Sequence, residues 1–176
     1  MKKKLQLLPS VLFLLILLIF FYLLTSDRKP HEIPSSLINK KVPVFETESL
    51  LKKEKFISDI EFGNEIILVN FFATWCKPCR DEHAFIKQFS DEKKIRVIGI
   101  NYKDDPTKTI NWLNKFGNPY SNIPLDKKGR IAIEWGVYGI PETFVVDSNG
   151  IVKYRLAGPI TNNTFKKINL LIEEIN

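Results

Sequence analysis

Every position from Val11 to Leu24 is apolar, and no charged residue occurs between Leu5 and Ser26. An unbroken run of this length predicts a helix long enough to cross a hydrocarbon core of about 30 Å. The pattern then changes. Ser26 to Ser36, with Pro30 and Pro34, reads as a short stiff linker, and Leu37 to Phe62 alternates only weakly. Within it, Lys52, Lys53, Glu54 and Lys55 predict an exposed face or turn. Glu65 to Phe72 (EIILVNFF) is a continuous apolar run rich in β-branched and aromatic residues, which predicts a central strand covered on both faces.

From Arg80 to Ser90 the apolar positions Ala84, Phe85 and Phe89 fall close to helical spacing, with no Gly or Pro, so a helix starts near Cys76 and runs to about Ser90. Ile95 to Asn101 predicts a second buried strand, and Pro106 to Phe116 a helix closed by Gly117. Lys128 to Trp135 predicts a short helix ended by Gly136. Thr143 to Asp147 and Ile151 to Leu156 predict a hairpin around Ser148-Asn149-Gly150. Phe165, Ile168, Leu171, Ile172 and Ile175 give Thr161 to Ile175 one apolar stripe, a closing amphipathic helix. The β-α-β-α order implies a mainly parallel sheet with helices on its faces.

Composition bounds the class. The chain has 176 residues, 44% of them apolar, with 13 Phe and 3 Trp, which supports one packed domain after the apolar N-terminal run and excludes wholesale disorder. The net charge of +6 contains Lys2, Lys3 and Lys4, and the remaining +3 is a solvated surface rather than a nucleic-acid footprint. Those three lysines instead orient the apolar run. Asp27, Arg28 and Lys29 nearly cancel behind it, so residues 1–4 are expected in the cytoplasm and the rest of the chain outside. The exit Tyr22-Leu23-Leu24-Thr25-Ser26 lacks the small residues of a cleavage site, which favours an uncleaved signal-anchor over residues 5–26, followed by a linker over 27–36.

The cysteine count is two, Cys76 and Cys79, in the segment Trp75-Cys76-Lys77-Pro78-Cys79-Arg80. A CxxC where a buried strand hands over to a helix is a redox constellation. The first sulfur sits at the positive helix end, where helix amides and the neighbouring Lys77 favour its thiolate, and the second lies one turn inside. Cys76 is then the attacking thiol and Cys79 the resolving one. A metal site is a poor alternative, since His31 and His83 are the only imidazoles and complete no zinc shell. A purely structural bridge closing so short a loop would remove little unfolded-state entropy. Glu82, one turn beyond Cys79, can accept the proton lost when that thiol attacks, although a solvent-facing Glu favoured by the helix dipole fits the same position. Gly136-Val137-Tyr138-Gly139-Ile140-Pro141-Glu142 precedes a strand; alone it suits either a specified turn or an ordinary trans-proline loop.

VNFFATWCKPCRDEH followed about 60 residues later by GVYGIPETFVVDSNG resembles the thioredoxin-like superfamily. More narrowly it resembles the membrane-anchored CcmG/DsbE thiol-disulfide oxidoreductases of cytochrome c maturation. The resemblance implies an α/β thioredoxin-like fold over residues 37–176, a central mixed sheet flanked by helices, preceded by one transmembrane helix. It implies a redox disulfide between nucleophile Cys76 and resolving Cys79, and a cis Pro141. It places Trp75, Ile140, Pro141 and Glu142 against substrate and keeps Glu82 near the active site. It also implies a catalytic domain on the periplasmic side of a bacterial inner membrane, acting without a cofactor on apocytochrome c or haem-ligation proteins. Electrons would come from an integral membrane thiol donor of the DsbD/CcdA type. Two departures stand out. Asn70 occupies the place where thioredoxin carries a buried, titratable Asp, and Ile140 stands where smaller residues are familiar. A general reductase, a copper-delivery module lacking a later His, and a non-catalytic interaction domain are the competing classes.

Overall fold

The computed structural model describes residues 8–25, 35–52 and 55–175, and the chain divides after Ile33 into two units. The first contains α1 (Leu8–Thr25). Its side chains from Val11 to Leu24 are exposed and apolar all round. At 1.5 Å per residue its 18 residues span about 27 Å. Among the described residues no helix is long and apolar enough to cross a membrane. The expected span over 5–26 runs past the described helix at both ends. Residues 1–4 and most of the expected linker also lie outside the described residues, as do Lys53 and Glu54.

The second unit runs β1 (Glu46–Glu48), β2 (Lys55–Ile57), α2 (Ser58–Glu61), β3 (Ile67–Phe72), α3 (Lys77–Asp91), β4 (Arg96–Tyr102) and α4 (Pro106–Phe116). It continues with β5 (Leu125–Asp126), α5 (Arg130–Glu134), β6 (Glu142–Val146), β7 (Val152–Ala157) and α6 (Asn162–Ile175). The main sheet has the order β5-β4-β3-β6-β7. The β3–β4 and β4–β5 pairs are parallel, whereas β6 runs antiparallel to both β3 and β7. The sheet is therefore evenly mixed rather than mainly parallel, because the C-terminal hairpin adds its two strands on the far side of β3.

Both faces of β3 are covered, and its six residues are all buried. Strand alternation sends Ile67, Val69 and Phe71 to one core, where Trp135 packs edge-on against Phe71 and Phe144. Leu68 and Phe72 face the other core, shared with Ile86 and Phe89 of α3, Trp112 of α4 and Ile168 of α6. Asn70 has the same parity as Leu68 and Phe72, so the one polar residue of the strand is delivered beneath α3.

Termini follow local chemistry. Pro106 opens α4 behind the Asp105 cap, and Gly117, at φ 89°, closes it in a conformation that favours glycine. Thr161 and Thr164 bond reciprocally at the start of α6. Four elements escape the sequence pattern: β1, β2, α2 and β5. The β1–β2 hairpin forms on the weakly alternating segment, and the described ends of the charge run are exposed as expected: Lys55 pairs with Glu46 across the strands, and Lys52 with Glu61. β5 is only two residues long, too short for periodicity to register.

Gly99 of β4 lies opposite Asn70. A Cβ there would sit 2.7 Å from Cδ1 of Tyr120 and 2.8 Å from Cε1 of Phe72, two rings that stack with centroids 4.6 Å apart. Gly99→Ala is expected to destabilise the domain by about 1–3 kcal/mol through overpacking. Urea unfolding checks this, and a midpoint equal to the parent's would refute it.

Candidate active site

β3 ends at Phe72 and the next residues turn directly into α3. Cys76, at φ −85° and ψ 107°, is the helix N-cap, and Pro78 lies in the first turn, where its missing N–H is harmless. Cys76 and Cys79 are joined by a disulfide. The Cys79 backbone N–H donates to Sγ of Cys76 at 3.1 Å, so an amide of the first turn of α3 already points at that sulfur. On reduction the same donor and the helix dipole stabilise a Cys76 thiolate. Lys77 contributes less than its position suggests: its Nζ is turned to Asp81, 3.0 Å away, on the exposed surface.

Across from the disulfide, the Ile140 carbonyl oxygen lies 3.7 Å from Sγ of Cys76, and the Ile140–Pro141 bond is cis. The expected turn is thus present, with the proline loop facing the attacking sulfur. Trp75 is 60% exposed beside it, its Nε1–H donating to the Lys103 carbonyl at 3.2 Å. Asp104 fastens the same segment, accepting the Thr74 backbone N–H at 2.5 Å and its hydroxyl at 3.0 Å. Trp75 is therefore held by its polar edge while its ring stays open to a partner.

Glu82 is buried, not solvent-facing, at 1% exposure. One carboxylate oxygen accepts from Asn70 Nδ2 at 2.8 Å and the other from the Ile160 backbone N–H at 2.7 Å. Burial pushes its carboxyl up to about 7, against the two donors, which favour the charged form. Asn70 also donates to the Thr143 hydroxyl at 3.1 Å and accepts from the Tyr120 hydroxyl at 3.0 Å. The place vacated by a titratable Asp is thus filled by an amide that serves a carboxylate from the next layer.

Glu142 is also buried, but its oxygens are fully engaged. Arg155 grips them through Nε at 2.6 Å and Nη2 at 3.0 Å, and the Tyr138 backbone N–H donates at 3.2 Å. Its carboxylate holds the 136–142 loop together and is 1% exposed. His83 is buried. Its ring meets Trp112 edge-on, Nε2 lies 3.0 Å from the Gly117 carbonyl, and burial pushes its pKa down. Among the described residues no cluster of His, Cys, Asp and Glu is placed to hold a metal ion.

The structure therefore brings together the nearly buried Cys76–Cys79 pair, the half-buried Ile140 and the buried Pro141, beside the exposed Trp75, with Glu82 one helical turn beyond Cys79 and Glu142 inside the loop. Tyr120, Thr143, Asp104 and Arg155 are additional residues of the site. Of these only Arg155 carries a signal in the sequence, a charged residue inside the predicted second strand of the hairpin.

The redoxin family model matches residues 37–172. The thiol:disulfide interchange protein DsbE of Escherichia coli (strain K12) is 40% identical over 171 residues, covering 95% of this chain and 92% of that protein. The protein of the same name from Tatumella citrea is 42% identical over 170 residues, covering 94% and 91%. Among solved structures, a thiol:disulfide interchange protein of the thioredoxin family from Chlorobium tepidum TLS aligns with TM-score 0.61 at 23% identity, over 77% of this chain and 94% of that one. A secreted thiol-disulfide isomerase from Corynebacterium glutamicum aligns at 0.65 and 20% identity, over 76% and 85%. These structural likenesses establish the thioredoxin-like fold, mixed sheet and flanking helices included. The sequence relatives go further, and together with the family match they place the chain in the redoxin family among the DsbE-type thiol:disulfide interchange proteins, as a thiol-disulfide oxidoreductase.

Proposed function

We propose that the protein is a membrane-tethered reductase acting outside the bacterial cytoplasm, which opens the haem-attachment CxxCH disulfide of apocytochrome c or of a haem-ligation partner. The observation that carries this reading is the Cys76–Cys79 pair at the start of α3, with the Ile140–Pro141 segment 3.7 Å from the attacking sulfur. Such a geometry lets an extended cysteine-containing segment lie along the proline loop and present a disulfide to Cys76.

In the reduced protein the Cys76 thiolate attacks one substrate sulfur, the substrate S–S bond breaks, and a mixed disulfide forms. Cys79 then loses its proton to Glu82 and attacks Sγ of Cys76. The substrate leaves as a dithiol, and its two electrons have come from the cysteine pair, which is left oxidised. A membrane dithiol donor of the DsbD/CcdA type restores the pair. Trp75 and Ile140 touch the substrate, while Glu142 with Arg155 shapes the loop behind it. The tether is the apolar segment over residues 5–26, oriented by Lys2, Lys3 and Lys4; a helix apolar on every side has no water-facing stripe, which supports placement in lipid.

Trapping tests the assignment. In the full-length chain in its membrane, Cys79→Ser cannot resolve the mixed disulfide, so Cys76 is expected to accumulate covalently bound apocytochrome c or a haem-ligation protein. Recovery of only unrelated exported proteins would overturn the narrow reading in favour of a general reductase.

A further inference from the structure

Tyr120 is a buried titratable side chain that the exchange reaction does not itself use. Its ring is stacked on Phe72, and its hydroxyl has one acceptor among the described residues, Oδ1 of Asn70 at 3.0 Å. That bond orients the Asn70 side chain together with the one to the Glu82 carboxylate, and it alone remains to do so once Glu82 is protonated. An amide has a donor end and an acceptor end, and a flip exchanges them. With Oδ1 held by Tyr120, the NH2 end must face Glu82 and Thr143, at 2.8 and 3.1 Å. The Thr143 hydroxyl, able to donate or accept, fits either orientation and cannot choose between them. In the flipped amide the Tyr120 O–H would be buried without an acceptor and Oδ1 would confront the Glu82 carboxylate, two unfavourable arrangements at once.

We propose that Tyr120 is a positioning residue for disulfide exchange: by fixing the Asn70 amide it aims a donor at Glu82 and so sets the pH at which Glu82 takes up the proton of Cys79. The inference rests on the reading of Glu82 as proton acceptor given above. The groups around Glu82 are few. Cys79 precedes it by one turn on α3, Asn70 faces it from β3, Tyr120 stands behind Asn70, and the Ile160 N–H faces it from the segment before α6. His83, next on α3, is turned to Trp112 and Gly117, and among the described residues Glu82 has no ion-pair partner. Burial and the charge of Glu82 push the Tyr120 hydroxyl well above its ordinary range, which keeps it a donor throughout the working pH range.

Tyr120→Phe keeps the stacked ring and removes only the hydroxyl. Asn70 is then free to turn its oxygen to a protonated Glu82. The carboxyl titration of Glu82, followed by carbon NMR in the full-length reduced protein, is expected to move upward by about half a unit or more. The pH midpoint of mixed-disulfide resolution should move with it. Loss of packing alone would lower stability and leave both midpoints in place, which would overturn the proposal. A second comparison uses Glu82→Gln: adding Tyr120→Phe to it should produce no further change in the pH profile, and a further shift would mean that Tyr120 acts by another route. The two readings fail separately. A Glu82→Gln profile equal to the parent's removes Glu82 as acceptor, whereas an unmoved Glu82 titration in Tyr120→Phe removes Tyr120 as its positioner.

Discussion

Arg155→Met is expected to destabilise the folded domain by about 3–5 kcal/mol, because it leaves the Glu142 carboxylate buried with its principal partner gone. Both partners are nearly inaccessible, with side-chain exposures of 6% and 1%. The guanidinium does several jobs from one position. It grips both Glu142 oxygens, donates to the Gly136 carbonyl at 3.1 Å, and lies over the Tyr138 ring at 4.8 Å. Lysine has no planar fork, so Arg155→Lys should recover only part of the loss. The deciding comparison is with the double variant Arg155→Met, Glu142→Leu. Replacing both members of a buried pair with apolar groups is often near neutral, so the double variant should unfold much closer to the parent than Arg155→Met alone. Denaturant unfolding at neutral pH measures all three. A loss below about 1 kcal/mol in Arg155→Met would refute a structural role for the pair.

The same pair shows where sequence reasoning stops. Glu142 is visible because it follows Pro141 in the loop string, and its position suggests contact with substrate. Its partner comes from β7, one hairpin away, and the register that sets Phe144 opposite Arg155 is a property of the folded sheet. Cys76, Cys79 and the proline loop are legible because strand, helix and turn each carry local signals, and the spacing of the two motifs is a family resemblance. Glu82 is ambiguous for a geometric reason: helical position places it one turn from Cys79 but does not say which layer packs over it. Asn70 resolves the ambiguity only when strand parity and α3 are combined. The β1–β2 hairpin and β5 escape because strands of two or three residues carry no measurable period.

The burial of Glu82 makes a second large effect predictable, in stability and rate together. In the folded chain its carboxyl holds a proton up to about pH 7, while the ordinary value of 4.5 applies to the unfolded chain. Between those values the folded state binds more protons than the unfolded state, so stability must fall as pH rises from about 4.5 to 7. The full effect above pH 7 is about 3 kcal/mol. Glu82→Gln removes the charged form, and its stability is expected to lack this decline. At low pH it should be somewhat less stable than the parent, since the amide cannot accept from both Asn70 and Ile160. The chemistry changes in the opposite sense. On the proposed role of Glu82 as proton acceptor, resolution of the mixed disulfide at neutral pH should slow by about 10²-fold or more in Glu82→Gln, while the first attack by Cys76 keeps its rate. Unfolding midpoints between pH 4 and 8 and stopped-flow decay of a preformed mixed disulfide give the two readouts. A parallel pH dependence in parent and variant would show that Glu82 does not titrate in this range. An unchanged resolution rate would leave the proton of Cys79 to water.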